Sequence, residues 1–242
     1  MPAPVNQTNA HGVYGWTSRI LDRLLPSSCL VCGERGANGG DLCVFCRESL
    51  PWLVSACARC ALPLGLWSDL CGECLRRSPP QASTRAAFAY RPPLDRLLPR
   101  AKFHGDLAAL RLLSSLMLDR LADAERPQAL IPIPLHRQRL RQRGYDQALE
   151  LARPLARRLG LPVHEDVLRR VRATAAQSRL DAAARRRNVR AAFAVRKGVA
   201  LPAHMALVDD VMTTCATARS AAAALLRAGV RRVDVWVCAR VP

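Results

Sequence analysis

The stretch MALVDDVMTTCATARS, residues 205–220, decides the fold and points to the chemistry of this chain. Its apolar start predicts a buried strand at 205–210 that delivers Asp209 and Asp210 at its carboxyl end, where α/β sheets place their ligands. A turn with three threonines follows, and an alanine-rich helix is predicted at 217–228. Because unpaired backbone N–H groups at a helix start bind anions, we expect a phosphate at this turn.

The acid pair, Asp209 and Asp210, cannot serve that same phosphate, because like charges repel. Carboxylates suit hydroxyl groups or a cation beside the phosphate, and a ribose phosphate offers hydroxyls and phosphate together. The plainer alternative is a helix N-cap at Thr213 or Thr214 with two surface acids. The order of strand, acid pair, hydroxyl-rich turn and helix is more specific than any of its parts. We therefore treat residues 213–217, the threonine turn, as a candidate ligand site.

Strands and helices alternate on both sides of this motif. Further strands are predicted at 84–90, 130–135 and 233–239, and further helices at 147–159 and 181–191. Such alternation predicts an α/β fold with a mostly parallel sheet flanked by helices. We expect this domain to span residues 84–242.

Eight cysteines form a second pattern, nearer the start of the chain. They make four Cys-x-x-Cys pairs with ten residues between consecutive pairs: Cys29, Cys32, Cys43, Cys46, Cys57, Cys60, Cys71 and Cys74. Two such pairs complete a closed, tetrahedral and hence structural zinc site, so two zinc ions are expected. Sequential and interleaved pairing both fit the spacing; a redox array is less typical, because redox Cys-x-x-Cys motifs usually occur singly. The pattern predicts a small zinc-ribbon module at 27–78, after a tail and docking helix at 1–26.

The charge of the chain is strongly positive. Its 242 residues include 37 basic and 19 acidic ones, and residues 131–200 alone hold 17 basic and 5 acidic. A concentrated basic region binds phosphate groups of small molecules or of nucleic acid. The alternative is a solvated surface in a protein from a GC-rich genome, which encodes arginine often. No apolar stretch is long enough to span a membrane, and the first ten residues lack the features of a signal peptide. We expect a cytoplasmic protein without membrane insertion.

The motif at 205–220 resembles the signature of type I phosphoribosyltransferases, and the whole chain resembles the ComF proteins of competence and DNA utilisation. Three further stretches carry the resemblance in the family's order: AKFHGDL (101–107), IPIPLHRQRLRQRGYDQA (131–148) and AAQSRLDAAARRRNVRAAFAV (175–195). ComF proteins also begin with a double zinc ribbon. The resemblance covers about residues 20–242 and implies a phosphoribosyltransferase-like fold.

The resemblance also implies a site for phosphoribosyl pyrophosphate with Mg²⁺. By resemblance, Asp209 and Asp210 hold the ribose hydroxyls and act in catalysis together with Arg143. The threonine turn then holds the 5′-phosphate, through Thr213, Thr214, Cys215, Ala216 and Thr217. The resemblance implies that the pyrophosphate is bound by Arg137, Arg139 and Lys102. Gln177, Arg187 and Asn188 match family positions without an assigned role.

The chain departs from the family pattern at three places. Cys215 stands where the family loop usually has glycine; we expect it to keep helical dihedrals, with its thiol among the N–H groups of the turn. Residues 143–147 are RGYDQ, where the family usually has RGFNQ. Thr213 stands where purine-salvage relatives carry an acid, which argues against hypoxanthine or guanine as the acceptor.

Three functions remain open on this basis. The first is a phosphoribosyltransferase whose acceptor the sequence does not identify, acting in the uptake or use of external DNA. The second is a non-catalytic module that binds single-stranded DNA or a partner such as a competence helicase or another DNA-processing protein. The third is a regulator that senses phosphoribosyl pyrophosphate.

Overall fold

The structure is a computed structural model that describes residues 27–65, 68–103, 105–171 and 192–242. Several expectations fall outside these ranges: the docking helix at 1–26, the helix at 181–191, and Gln177, Arg187 and Asn188. Within the described ranges, no helix has the length and apolar character needed to cross a membrane.

The chain divides into two compact units, Met1–Ser49 and Leu50–Pro242. The described part of the first unit contains a 3₁₀ turn at Ala37–Gly39 and helix α1 at Val44–Glu48. The first cysteine tetrad lies in this unit: Cys29, Cys32, Cys43 and Cys46. Cys43 is also the N-cap of α1, because its Sγ accepts a hydrogen bond from the N–H of Cys46 at 3.4 Å.

Helices and strands alternate through the second unit. In chain order they are α2 Gly72–Arg76, β1 Ser83–Ala89, α3 Leu94–Phe103, α4 Leu107–Leu121, β2 Ala129–Pro132, α5 Arg137–Arg143, α6 Gln147–Leu159, β3 Leu168–Arg170, β4 Phe193–Val195, β5 His204–Met212, α7 Ala216–Arg227 and β6 Arg232–Arg240. The predicted helices at 147–159 and 217–228 are present as α6 and α7.

Four of these strands form one parallel sheet in the order β1–β6–β5–β2. Strands β2 and β6 are buried along nearly their whole length, as expected where helices flank a parallel sheet. Helices α4 and α6 pack against each other and onto strands of the sheet, and α7 packs on β5 and β6. The predicted α/β fold is confirmed. Strands β3 and β4 form a separate antiparallel pair.

Two strand ends differ from the sequence prediction. Strand β2 stops at Pro132, short of residue 135, because Pro132 and Pro134 have no N–H; Ile133 adds one more bond, to the carbonyl of Val208 at 2.9 Å. Strand β5 runs on to Met212, which pairs with Arg240, whereas the prediction ended at 210. The acid pair therefore lies at the sixth and seventh of the nine residues of β5 and not at its end.

The second cysteine tetrad lies in the same compact unit as the sheet. Its members are Cys57, Cys60, Cys71 and Cys74. The loop at its first pair is bonded to β1, because the N–H and hydroxyl of Thr84 donate to the carbonyls of Ala58 and Arg59, both at 2.8 Å. The division between the compact units falls after Ser49, and the expected domain ranges 27–78 and 84–242 stay a prediction.

Candidate functional site

A cavity of about 580 Å³ lies at the carboxyl ends of β2 and β5. Acids, hydroxyls and cations face each other in it: Lys102, Arg139, Arg143, Asp146, Arg170, Asp209, Asp210, Thr213, Thr214 and Thr217. This volume suits a small molecule, and the mixture of charges suits one that carries both hydroxyl and phosphate groups.

The two carboxylates of the acid pair are fixed by the backbone of β5. An Oδ1 of Asp209 accepts from the N–H of Asp210 at 2.9 Å, and an Oδ1 of Asp210 accepts from the N–H of Val211 at 2.7 Å. Both side chains are half-buried and line the cavity. One oxygen of each carboxylate is held in this way, which fixes the orientation of both side chains.

The two carboxylates of the acid pair have different charged neighbours. The ammonium of Lys102 lies 3.1 Å from Oδ2 of Asp210, on side chains that are 31% and 13% exposed. Burial, followed by the negative charge of Asp210, raises the pKa of Asp209 well above its usual range. A ligand that donates hydroxyl hydrogens or brings a cation would stabilise the ionised pair.

The threonine turn connects β5 to α7 within the cavity wall. Residues 213–215 form the bend, and α7 begins at Ala216. Thr213, Thr214 and Thr217 are half-buried and line the cavity. The start of the helix thus faces the same space as the acid pair.

The backbone dihedrals of Cys215 and the position of its thiol both differ from the prediction. Its φ is 58° and its ψ 0°, which is the left-handed region, so the expectation of helical dihedrals is wrong. The residue is only 5% exposed, and its Sγ lies 3.8 Å from the carbonyl oxygen of Cys60. The conformation fits glycine better, which explains the residue usual in the resembled family.

The predicted arginines divide between the cavity and solvent. Arg139 and Arg143 line the cavity, where burial and then the charge of Arg143 lower the pKa of Arg139. Arg137 is exposed and lies outside the cavity lining. The cavity face of α5 therefore presents two of the three predicted cations.

Residues 145–147 hold the cationic side of the cavity together, a role that the sequence analysis missed. The hydroxyl of Tyr145 donates to the carbonyl of Ala101, and the buried amide of Gln147 donates to the carbonyl of Lys102 at 3.3 Å. The Gln147 oxygen accepts from Arg143 at 3.0 Å. These bonds set the positions of Lys102 and Arg143.

Asp146 and Arg170 are two further cavity residues outside the prediction. Asp146 is the N-cap of α6 and also accepts from the N–H of Leu135 at 2.9 Å, and burial raises its pKa. An acid directly before a predicted helix was a usable signal for this cap. Arg170 comes from β3, where burial and then the charge of Arg139 lower its pKa. No local pattern marked it.

Both cysteine tetrads fit a zinc ion. In each, the four sulfurs lie within 4.8 Å of one another, and the pairing is sequential. Zinc held about 2.3 Å from each of four sulfurs requires sulfurs about 3.8 Å apart. Cys32 and Cys43 are separated by 3.8 Å between sulfurs, and Cys60 and Cys71 by 3.6 Å. Both shells consist of four thiolates, which is the composition of structural sites.

Known proteins match both the cysteine-rich region and the chain as a whole. The family model of the double zinc ribbon domain matches residues 20–76. The DNA utilization protein YhgH of Salmonella typhi is 36% identical over 223 residues, which cover 89% of this chain and 98% of that protein. Competence protein F of Haemophilus influenzae is 34% identical over 224 residues, covering 88% and 96%. Competence protein ComFC of Bacillus subtilis is 26% identical over 197 residues, covering 78% and 79%.

Proposed function

Because the chain belongs to the family of competence protein F and the DNA utilization protein YhgH, we propose that its cavity binds phosphoribosyl pyrophosphate with Mg²⁺. In this proposal the protein transfers the phosphoribosyl group to an acceptor during the use of external DNA. The names of the relatives support the DNA-related role, and the residues of the cavity support the ligand.

One observation carries the proposal: carboxylates, hydroxyls and cations converge in a single cavity. The acid pair suits the ribose hydroxyls, and the threonine turn at the start of α7 suits the 5′-phosphate. Arg139 and Arg143 supply positive charge in the same cavity, and Lys102 supplies it beside Asp210. Phosphoribosyl pyrophosphate carries these three partner groups in one molecule.

The same arrangement suits the transition state of phosphoribosyl transfer. The bond between the ribose carbon and pyrophosphate breaks, so negative charge grows on the leaving group and positive charge on the sugar. Cations fixed at the leaving group and carboxylates fixed at the ribose stabilise both charges without reorganisation. Arg170 adds a further cation to the cavity lining.

The acid pair also fits Mg²⁺. Carboxylate oxygens are hard ligands that this ion accepts, together with oxygens of a phosphate substrate. Asp209 and Asp210 would hold the ion, which when bound neutralises negative charge on the pyrophosphate.

Removing the negative charge of the acid pair tests the ligand site. We expect Asp209→Asn and Asp210→Asn each to weaken binding of phosphoribosyl pyrophosphate with Mg²⁺ by about 10- to 150-fold, which corresponds to about 1.5–3 kcal/mol for a charged hydrogen bond. Titration calorimetry measures the affinity.

A matched substitution distinguishes the site from general charge effects. Asp123 is an exposed acid that does not line the cavity, so Asp123→Asn should leave the affinity at the wild-type value. Equal affinities in all three variants would remove the acid pair from the ligand site. Absence of binding to the wild-type chain would overturn the proposed function.

Pyrophosphate release distinguishes a transferase from a regulator. A transferase releases pyrophosphate from phosphoribosyl pyrophosphate faster when its acceptor is present, whereas a sensor binds the molecule without consuming it. Candidate acceptors can be compared by the pyrophosphate they release, with the Asp210→Asn variant as the blank.

DNA binding is a second candidate function, favoured by the outer face of α5. Arg137 and Arg141 are exposed there, next to the mouth of the cavity that Arg139 and Arg143 line. Exposed arginines bind DNA phosphates without reading sequence. With only 5% aromatic residues, the chain offers little base stacking, so we expect weak, salt-dependent binding.

The salt dependence of that binding tests this second candidate. The double variant Arg137→Gln, Arg141→Gln should reduce the slope of log affinity against log salt by about 0.7 for each phosphate of single-stranded DNA that an arginine no longer neutralises. The matched pair Arg227→Gln, Arg231→Gln changes two exposed arginines outside the cavity lining and should leave the slope unchanged. A flat salt response of the wild-type protein would show that these arginines are only solvated surface.

A further inference from the structure

The second cysteine tetrad lies directly behind the threonine turn. All four of its cysteines are buried, and they share one apolar cluster with Met212, Cys215 and Ala218. The thiol of Cys215 approaches the Cys60 carbonyl at 3.8 Å. A second contact involves α2, the helix that carries Cys74. Oε1 of Glu73 in this helix lies 3.4 Å from Nη1 of Arg219, which lies near the start of α7. The residues that hold a metal therefore also support the turn.

Arg240 connects these two parts through its guanidinium. The side chain is buried, with 7% of the residue exposed. Its Nε donates to the carbonyl oxygen of Cys60 at 3.0 Å, and its Nη1 donates to the carbonyl of Met212 at 3.4 Å and to that of Val241. One cation thus binds the carbonyl of a metal ligand, Cys60, and the carbonyl of Met212, which precedes the threonine turn.

The charges on either side explain why a cation is needed at this position. Four thiolates around one zinc ion leave a net negative charge, and a 5′-phosphate in the threonine turn adds more. Charges in a buried layer are screened little by salt. The guanidinium of Arg240 stabilises both groups and opposes their mutual repulsion.

We propose that Arg240 is a positioning residue that couples the second metal site to ligand binding in the cavity. It fixes the Cys60 loop on one side and the start of the threonine turn on the other. This inference rests on the proposed function, because it requires a phosphorylated ligand in the turn. Thermodynamic linkage makes this coupling reciprocal. If zinc in the second tetrad raises the affinity of the cavity for its ligand by some factor, the bound ligand raises the affinity of the second tetrad for zinc by the same factor.

Zinc release from the full chain tests the coupling. A chromogenic chelator removes zinc in the presence or absence of phosphoribosyl pyrophosphate with Mg²⁺, and alkylation mapped by mass spectrometry identifies which tetrad has lost its metal. We expect saturating ligand to raise at least about fivefold the chelator concentration that removes half of the zinc from the second tetrad at equilibrium, which is the lower end of typical coupling, and to leave the first tetrad unchanged. Calorimetry run on the same protein reports ligand binding independently.

Substitutions of Arg240 assign the effect to its guanidinium. Arg240→Gln should abolish the protection even at saturating ligand, and Arg240→Lys should restore part of it, because lysine keeps the charge without the planar fork. Arg231→Gln, an exposed arginine just before the same strand, should behave as wild type.

The outcomes separate the coupling from the proposed function. Ligand binding with unchanged zinc release from the wild-type second tetrad would overturn the coupling and leave the proposed function standing. Equal protection of both tetrads would also overturn it, since a general stabilisation would suffice. Full protection in Arg240→Gln would remove Arg240 from the coupling. Absence of ligand binding to the wild-type chain would overturn the proposed function and this inference together.

Discussion

The two cysteine tetrads have the same spacing and different surroundings. In the first, Cys32 is exposed and Cys46 is half-buried, and the tetrad lies in the Met1–Ser49 unit. In the second, every cysteine is buried and belongs to the core of the unit that contains the sheet and the cavity. Ligand spacing thus predicts where a metal binds, but the packing around it determines what the metal holds in place.

Removing one ligand from each tetrad should give the largest contrast between them. Cys57→Ser opens the second shell inside the shared core, so we expect it to destabilise the sheet by more than about 4 kcal/mol, since metal loss belongs to the rare large effects. Cys29→Ser should leave the unfolding of the Leu50–Pro242 unit unchanged. Hydrogen exchange of β5 and β6 measures the difference; similar protection of these strands in both variants would contradict it.

Substituting Asp209 sharpens the comparison, because it should alter the stability of the second unit alone. Burial raises the pKa of this carboxyl in the folded state, so the folded chain holds a proton that the unfolded chain releases. The resulting stabilisation is complete below the unfolded pKa of about 3.9 and is lost as the pH rises through the higher folded value.

The substitution Asp209→Asn removes that dependence. We predict that it raises the melting temperature at pH 8 and that its advantage over wild type shrinks as the pH falls. Asp123→Asn, at an exposed acid, should have no such effect. A variant that melts below wild type at pH 8 would contradict the assignment of Asp209 as a carboxylate that is destabilised by partial burial and by its charged neighbour.

The smallest predicted effect concerns the backbone of Cys215, at the place where the threonine turn meets the second tetrad. Cys215→Ala and Cys215→Gly both remove the thiol, but only glycine also relieves the left-handed backbone at φ 58°. We therefore expect the glycine variant to be more stable than the alanine variant by about 1 kcal/mol in chemical denaturation. The opposite order would mean that the backbone at this position is not left-handed.

The sequence predicted those parts of the site that lie close together along the chain. The acid pair and the threonine turn follow one another within a single strand–turn–helix segment, so local patterns were sufficient. Lys102, Arg139 and Arg143 were predicted by resemblance and line the same cavity.

Other parts of the site depend on contacts that no local pattern encodes. Arg170 reaches the cavity from β3, whose partner strand β4 is more than 20 residues away. Arg240 meets Cys60 across 180 positions. The left-handed Cys215 was missed because its residue type gave no sign of the conformation, although the glycine usual in the family did.

Hydrogen exchange of the whole chain with and without phosphoribosyl pyrophosphate and Mg²⁺ tests the central claim most directly. The ligand should slow exchange in the backbone of residues 209–217 and in α5, where the acid pair, the threonine turn and the cavity arginines lie. The first tetrad, at residues 29–46, should exchange at the same rate in both states. Unchanged exchange at 209–217 under a saturating concentration of ligand would contradict the claim that this turn holds its phosphate.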